Sequence, residues 1–246
     1  MAMAETIIWI SGATSGIGLA LARTAPFPGT RIISLSRTPH PDYETVHLDL
    51  TEPDTYAAVG ESFRRELAGF TGKRAIFIHN AMYNAVGYVG EVDPAELAKA
   101  LQANAVAPQL LGDMFLRAVG PGYESGLVQM SSAAARLPYA GMAAYSAVKA
   151  GIEIWVKAVL LELADRGRDT WVTAVRPGFV DTPGTRTTAT RSPRDYPAAT
   201  MVAQALEQGG PGVFTAEQSA RLIWEALETR KHEPLLYFGT AVTTSS

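Results

Sequence analysis

The sequence predicts a single-domain α/β protein: a doubly wound, seven-stranded, mainly parallel sheet with helices on both faces. Three observations predict it. Short, wholly apolar runs alternate with segments of helical period. The links between them are too short for a separate domain. The length, 246 residues, suits one large core better than two small ones.

Thr6–Ser11 opens the chain as a continuous apolar run, the mark of a strand covered on both faces. A glycine-rich turn follows, then a short helix from Ile17 to Ala25 that Pro26 and Pro28-Gly29 stop. Arg31–Ser36 is the second strand and Glu44–Leu48 a shorter third. Pro53 to Ala68 reads as a helix, with Pro53 and Asp54 suited to its first turn. Arg74–His79 is the fourth strand, and Pro94–Val119 a long helix disturbed at Pro108. Gly126–Ser131 is the fifth strand. Met142–Asp165 is a helix whose apolar positions 148, 152, 155, 156, 159, 160 and 163 keep the 3.6 period. Thr170–Arg176 is the sixth strand, Thr215–Thr229 a helix and Pro234–Phe238 the last strand. One stretch, Asp181 to Gly212, is irregular and rich in Thr, Pro, Arg and Gly, which suggests a functional lid.

Composition narrows the function. The chain has no cysteine, which removes thiol nucleophiles, disulfides and Cys-ligated metals. A net charge of −3 gives no footprint for nucleic acid. No apolar run has the length of a membrane span, and the first residues lack a basic start and a long apolar stretch. A cytoplasmic protein without nucleic-acid or membrane partners is expected. His40, His47, His79 and His232 lack metal-ligand spacing, so no metal site is expected. There is no G-x-S-x-G, which disfavours a serine hydrolase.

Three signals carry chemistry. Gly12, Gly16 and Gly18 lie between the first strand and its helix. Glycines there let the backbone approach a pyrophosphate, whose charge the helix N-terminus favours, as in a Rossmann-type fold. Read alone, the motif is also compatible with an ordinary tight turn. Tyr145 and Lys149 are four residues apart on one helix face, where an ammonium would draw a phenol below its usual value of about 10. That makes Tyr145 a candidate acid or base. Ser132, at the end of the fifth strand, could hydrogen-bond a substrate oxygen, although a serine there is more commonly a cap.

Together these residues resemble the short-chain dehydrogenase/reductase family. Its glycine motif appears as Ser11-Gly-Ala-Thr-Ser-Gly-Ile-Gly18, with Ser11 replacing the leading Thr. The resemblance implies a catalytic set of Asn104, Ser132, Tyr145 and Lys149. It implies cofactor contacts from Gly12, Thr14, Ser15, Gly16, Ile17, Gly18, Asp49, Leu50, Asn80 and Ala81. Tyr145, Lys149 and the turn bearing Pro177, Gly178, Val180 and Thr182 would complete them. It implies Tyr145 as proton donor, Ser132 as the group holding the carbonyl oxygen, and Lys149 on the nicotinamide ribose. Asn104 would hold a water leading from Lys149 to solvent. A homodimer or homotetramer packing the Pro94–Val119 and Met142–Asp165 helices is also implied. The chain departs from the family at His79-Asn-Ala-Met82, where the pattern is N-N-A-G, so Met82 is expected either to narrow the nicotinamide end of the pocket or to lean into substrate space. Ile33–Thr38, Asn104–Pro108 and Pro138–Gly141 look most like the sepiapterin and benzil reductase branch, which reduces bulky dicarbonyl or aromatic ketone substrates.

The second strand ends on Ser36-Arg37, where NAD-binding folds carry an acidic residue for the ribose hydroxyl. With no carboxylate to repel a 2′-phosphate, NADP(H) is expected over NAD(H), which stays possible. The reaction expected is reduction of a ketone or diketone to the alcohol, or its reverse. The alternatives are an NAD(H)-dependent dehydrogenase of another secondary alcohol and a non-catalytic, cofactor-sensing protein of the same fold.

Overall fold

The structure is a computed structural model that describes residues 4–209 and 212–239. Seven strands form one sheet: β1 (Thr6–Ser11), β2 (Thr30–Ser36), β3 (Glu44–His47), β4 (Arg74–His79), β5 (Glu124–Met130), β6 (Trp171–Arg176) and, last in the chain, β9 (Leu235–Tyr237). Their order is β3-β2-β1-β4-β5-β6-β9, and every neighbouring pair is parallel. The chain leaves β1 towards β2 on one side and returns at β4 on the other. The crevice at that switch point, beyond the C-terminal strand ends, is where such sheets place ligands.

Alternation along each strand feeds two cores. On β1, Ile7 and Trp9 face one layer while Ile8 and Ile10 face the other. The first layer comprises α2 (Tyr56–Leu67), α3 (Pro94–Leu101), α4 (Ala107–Ala118) and α5 (Ala143–Asp165). Its centre is an aromatic knot in which Trp9 and Phe115 meet Phe63 edge-on, at ring distances of 5.2 and 5.4 Å. The second layer is α1 (Gly16–Arg23) and α8 (Ala216–Arg230), with Leu21, Ile223 and Trp224 against Ile8 and Ile10. Trp155, on the apolar stripe of α5, is partly buried and packs against the core of the first layer.

Two expectations need correction. The long helix from Pro94 is interrupted before Pro108, by a π-turn at Gln102–Val106 that divides α3 from α4. Pro108 has no N–H to give the Asn104 carbonyl four residues back, so the α-ladder fails there. The segment Asp181 to Gly212 is also less irregular than its composition suggests: it carries α6 (Pro183–Ala189) and α7 (Ala199–Gln208). Threonine back-bonds sustain α6, Thr187 donating to the Pro183 carbonyl and Thr188 to that of Gly184. Two short strands not foreseen, β7 (Phe179–Asp181) and β8 (Val213–Thr215), pair in parallel and fasten the two ends of this excursion together.

Candidate active site

The crevice begins at the glycine turn. Gly12 and Gly16 adopt positive φ, 72° and 53°, which a side chain would strain. A Cβ on Gly18 would lie 2.3 Å from the Gly12 carbonyl oxygen and 2.7 Å from Asn80 Nδ2. The turn is therefore closed on itself and on β4. Ser11 Oγ accepts from the backbone N–H groups of both Asn80 and Ala81 at 2.9 Å, and Asn80 Nδ2 donates to the Ser11 carbonyl at 3.1 Å. Ser11 thus welds the two strand ends flanking the crevice. Its substitution for the family threonine was the only trace of this in the sequence.

Other implied cofactor residues converge on the same turn. Ser15 is the N-cap of α1, but its side chain makes no cap bond; with Gly16, Ile17 and Thr14 it leaves the helix N-terminus facing the crevice, with no acidic residue in the first turn. Across the crevice Thr182, the N-cap of α6, would touch a Cβ on Gly16 at 3.3 Å. Gly178 (φ 83°) turns the chain out of β6 where a side chain would strike Phe214, and Pro177 accepts from Ser219. Val180 is buried beside it. On the other side, Asp49 accepts from Thr51 N and Oγ1 at 2.9 and 2.7 Å, above buried Leu50. Burial alone would raise the Asp49 carboxyl; these bonds, aided by Arg37 and His47, outweigh it and hold it below its usual value. Ser36 donates its proton to the Thr38 carbonyl at 2.8 Å, and Arg37 after it is an exposed cationic group at the end of β2 whose charge also acts on Asp49.

The glycine cradle, the uncharged helix end and the positive φ angles fit a dinucleotide pyrophosphate. A bulkier turn would exclude one.

The second cluster sits at the ends of β4 and β5. Ser132 caps a single 3-10 turn, accepting from Ala134 N at 3.2 Å. Tyr145, in the first turn of α5, is pushed above its usual value by burial, and the Ser132 hydroxyl draws it partly back. The sequence reading expected Lys149 to lower this phenol. Here the ammonium instead donates to the Met130 carbonyl at 2.7 Å, with Nζ 5.6 Å from the Tyr145 ring centre. Burial lowers Lys149 itself to about 8. His79, buried below, falls to about 3 through burial and the nearby Lys149 charge, so it is neutral at physiological pH. Both side-chain ends of Asn104 hold the backbone of Tyr83, accepting from its N–H at 2.9 Å and donating to its carbonyl at 2.7 Å. Met82, beside this clamp, is 43% exposed.

Residues 6–192 match the sequence profile of the short chain dehydrogenase family. The chain belongs to that family of oxidoreductases. Among curated proteins, the Bacillus subtilis (strain 168) benzil reductase, which forms (S)-benzoin, is 28% identical over 193 residues, covering 76% of this chain and 79% of the relative. The 3-oxoacyl-acyl-carrier-protein reductase of Escherichia coli (strain K12) is 26% identical over 190 residues, covering 73% and 75%. Among solved structures, the aldohexose dehydrogenase of Thermoplasma acidophilum superposes with a TM-score of 0.78 at 19% identity, over 98% of both chains, which shows the shared fold. The short-chain dehydrogenase fold thus accounts for the switch-point crevice and for the two clusters beside it.

Tyr196 was missed from sequence. It is a lone aromatic in a polar stretch, yet it is 5% exposed and heads a small core with Ala199 and Val202. Burial, with Tyr139 and Tyr145 nearby, pushes its phenol up to about 12. The excursion thus brings a second, buried tyrosine into the neighbourhood of Tyr145.

Proposed function

We propose that this protein is an NADP(H)-dependent carbonyl reductase acting on a ketone or diketone, with Tyr145 as its acid/base. The observation that carries the reading is the convergence of Ser132, Tyr145 and Lys149 at the strand ends beside the glycine cradle. What a bound nicotinamide dinucleotide supplies is the hydride equivalent. Gly12, Thr14, Ser15, Gly16, Ile17 and Gly18 would hold its pyrophosphate, Asp49 and Leu50 its adenine, and Asn80, Ala81, Pro177, Gly178, Val180 and Thr182 its nicotinamide half.

Ser132 donates to the carbonyl oxygen and stabilises the negative charge that develops there. Tyr145 gives that oxygen its proton, so the carbonyl gains two electrons and two hydrogens and leaves as the alcohol. Burial keeps Tyr145 in its protonated form near neutral pH, the form that has a proton to give in the reductive direction. Lys149, lowered to about 8, exchanges protons near neutrality and can resupply Tyr145 after each turnover. The Asn104 side chain is committed to Tyr83, so its main-chain carbonyl, which Pro108 cannot engage as an α-helical donor, is the atom that would hold a water on the route from Lys149 to solvent. The benzil reductase relative supports a bulky dicarbonyl as substrate.

Preference for the phosphorylated cofactor rests on Arg37. One charge-assisted contact is worth roughly 1.5–3 kcal/mol, or about ten- to a hundredfold in affinity. Replacing Ser36 with Asp together with Arg37→Ala is expected to shift kcat/KM towards NADH, whereas equal wild-type values for the two cofactors would contradict the preference. A homodimer is supported by a stripe of Ala147, Gly151, Ile154, Ala158 and Leu161 along the outer face of α5, in which Ile154 is 64% and Leu161 73% exposed. The activity itself is tested by following NADPH and NADH absorbance with a panel of ketones and diketones that includes benzil. Reduction of none of them would overturn the reading.

A further inference from the structure

The best-made polar contact in the protein lies behind the site rather than in it. Glu153 is buried on α5, and its carboxylate accepts three hydrogen bonds. Arg176 binds it as a fork, Nε to Oε1 at 2.7 Å and Nη2 to Oε2 at 2.6 Å, and Ser131 Oγ donates to Oε1 at 2.6 Å. Each partner adjoins a functional segment. Ser131 precedes Ser132 and binds the Val175 carbonyl through its own N–H at 2.7 Å. Arg176 precedes Pro177 and Gly178, and its carbonyl accepts from Phe238 N at 3.1 Å. Glu153 stands one helical turn beyond Lys149 and two beyond Tyr145.

Resting on the function proposed above, we infer that Glu153, Arg176 and Ser131 are positioning residues that lock the Tyr145–Lys149 helix to the Ser132 turn and the Pro177–Gly178 turn. Apart from the Lys149–Met130 hydrogen bond near its N-terminal end, α5 meets the sheet through apolar side chains, Val156, Val159 and Leu163, and apolar burial fixes a distance without fixing a direction. A forked ion pair fixes both. Tyr145 lies about 12 Å along the helix from Glu153, at a rise of about 1.5 Å per residue. A tilt of about 5° about that anchor would move the phenol by about 1 Å, a displacement that can cost about 10²-fold in rate. An ion pair is otherwise a poor choice here. Apolar residues of similar volume commonly serve stability as well or better, whereas a half-broken pair leaves a buried charge.

The test compares Glu153→Gln, Arg176→Met and the double variant Glu153→Leu/Arg176→Met with the wild-type enzyme. The readouts are thermal stability, NADPH Kd, kcat and KM with benzil, and the ultraviolet titration of the Tyr145 phenol. That titration is taken as the difference between each protein and its Tyr145→Phe counterpart. The groups facing this phenol are Lys149 on its own helix, Ser132 after β5 and Tyr196 from the excursion. Both single variants are expected to lose about 30-fold or more in kcat, with KM and Kd changed less than about threefold. Their phenol titration should rise as Ser132 loses register with it. The double variant should regain thermal stability and keep the low kcat. Recovery of kcat along with stability in the double variant would overturn the inference, leaving an ordinary structural ion pair. So would a Glu153→Gln enzyme with wild-type kcat and an unmoved phenol. If the wild-type protein reduces no ketone, the proposed function fails, and the phenol titration still decides whether the network sets Tyr145.

Discussion

The crevice and the excursion over it are built on opposite terms. Around the crevice, the glycine turn, Asn80 and Ser132 follow strands buried on both faces, as with Ile8, Trp9, Ile10, Ile76, Phe77 and Ile78 on β1 and β4, and Tyr145 and Lys149 stand on α5 packed against the same sheet. Polar welds at Ser11 and Glu153 add direction to that packing. The excursion from Asp181 to Gly212 has a core of three buried residues, Tyr196, Ala199 and Val202, with partners such as Val86 and Met142 that are themselves half-open. The β7–β8 pair holds its base, and at α6 one bond, Asn84 Nδ2 to Thr188 Oγ1 at 2.6 Å, ties it to the loop after β4. The difference teaches where the molecule can move. The groups proposed to hold cofactor and transfer protons are fixed, and the excursion proposed as a substrate cover is weakly held, as access and release would require.

The largest effect should come from breaking the fixed side. Gly18→Val puts a side chain into the Gly12 carbonyl and Asn80, so dinucleotide affinity should fall about 100-fold or more, some 3 kcal/mol, by fluorescence titration. A normal Kd would mean the turn is not the cradle.

Acid should find the same region next. His79 is held neutral in the fold, at about 3 against an ordinary value of about 6.5. The unfolded chain therefore binds the extra proton first, and stability present above pH 6.5 is lost as pH falls from there towards 3. By pH 4 this loss should be on the order of 2–3 kcal/mol in urea melts. His79→Asn, which restores the family's residue, should flatten that slope.

Smallest should be the energetic effect on the cover. Asn84→Ala should change global stability by no more than about 0.5–1.5 kcal/mol. It should nonetheless raise the amide exchange of residues 183–208, leaving β1 and β4 unchanged. In wild-type protein, substrate with cofactor should protect that segment more than cofactor alone does. Equal protection in the free, binary and ternary states would remove the lid.

The same contrast explains what could be read from sequence. The strands were legible because burial on both faces writes them as continuous apolar runs, and Arg74–His79 appears in the fold with the bounds its residues suggest. The site residues were legible because turn glycines and a Tyr-Lys pair at helical spacing are chemically demanding. The excursion was not. Its helices are short and rich in threonine, stabilised by back-bonds and a shared core that only the tertiary fold supplies. Proton locations were hidden for a related reason. Spacing placed Lys149 beside Tyr145, but the Met130 carbonyl that engages its ammonium arrives from β5. Glu153 and Arg176 were likewise invisible as a pair, since 23 residues separate them and only the packing of α5 against β6 brings their elements together.

The account stands or falls on Tyr145. Stopped-flow reduction of benzil by NADPH, run on wild-type protein and on Tyr145→Phe, measures its role most directly. Removing the phenolic hydroxyl alone should lower kcat by about 10² to 10⁴ while NADPH Kd stays within about threefold, because the glycine cradle is untouched. A Tyr145→Phe enzyme that keeps more than about a tenth of wild-type kcat would show that the proton comes from elsewhere, and would contradict the account.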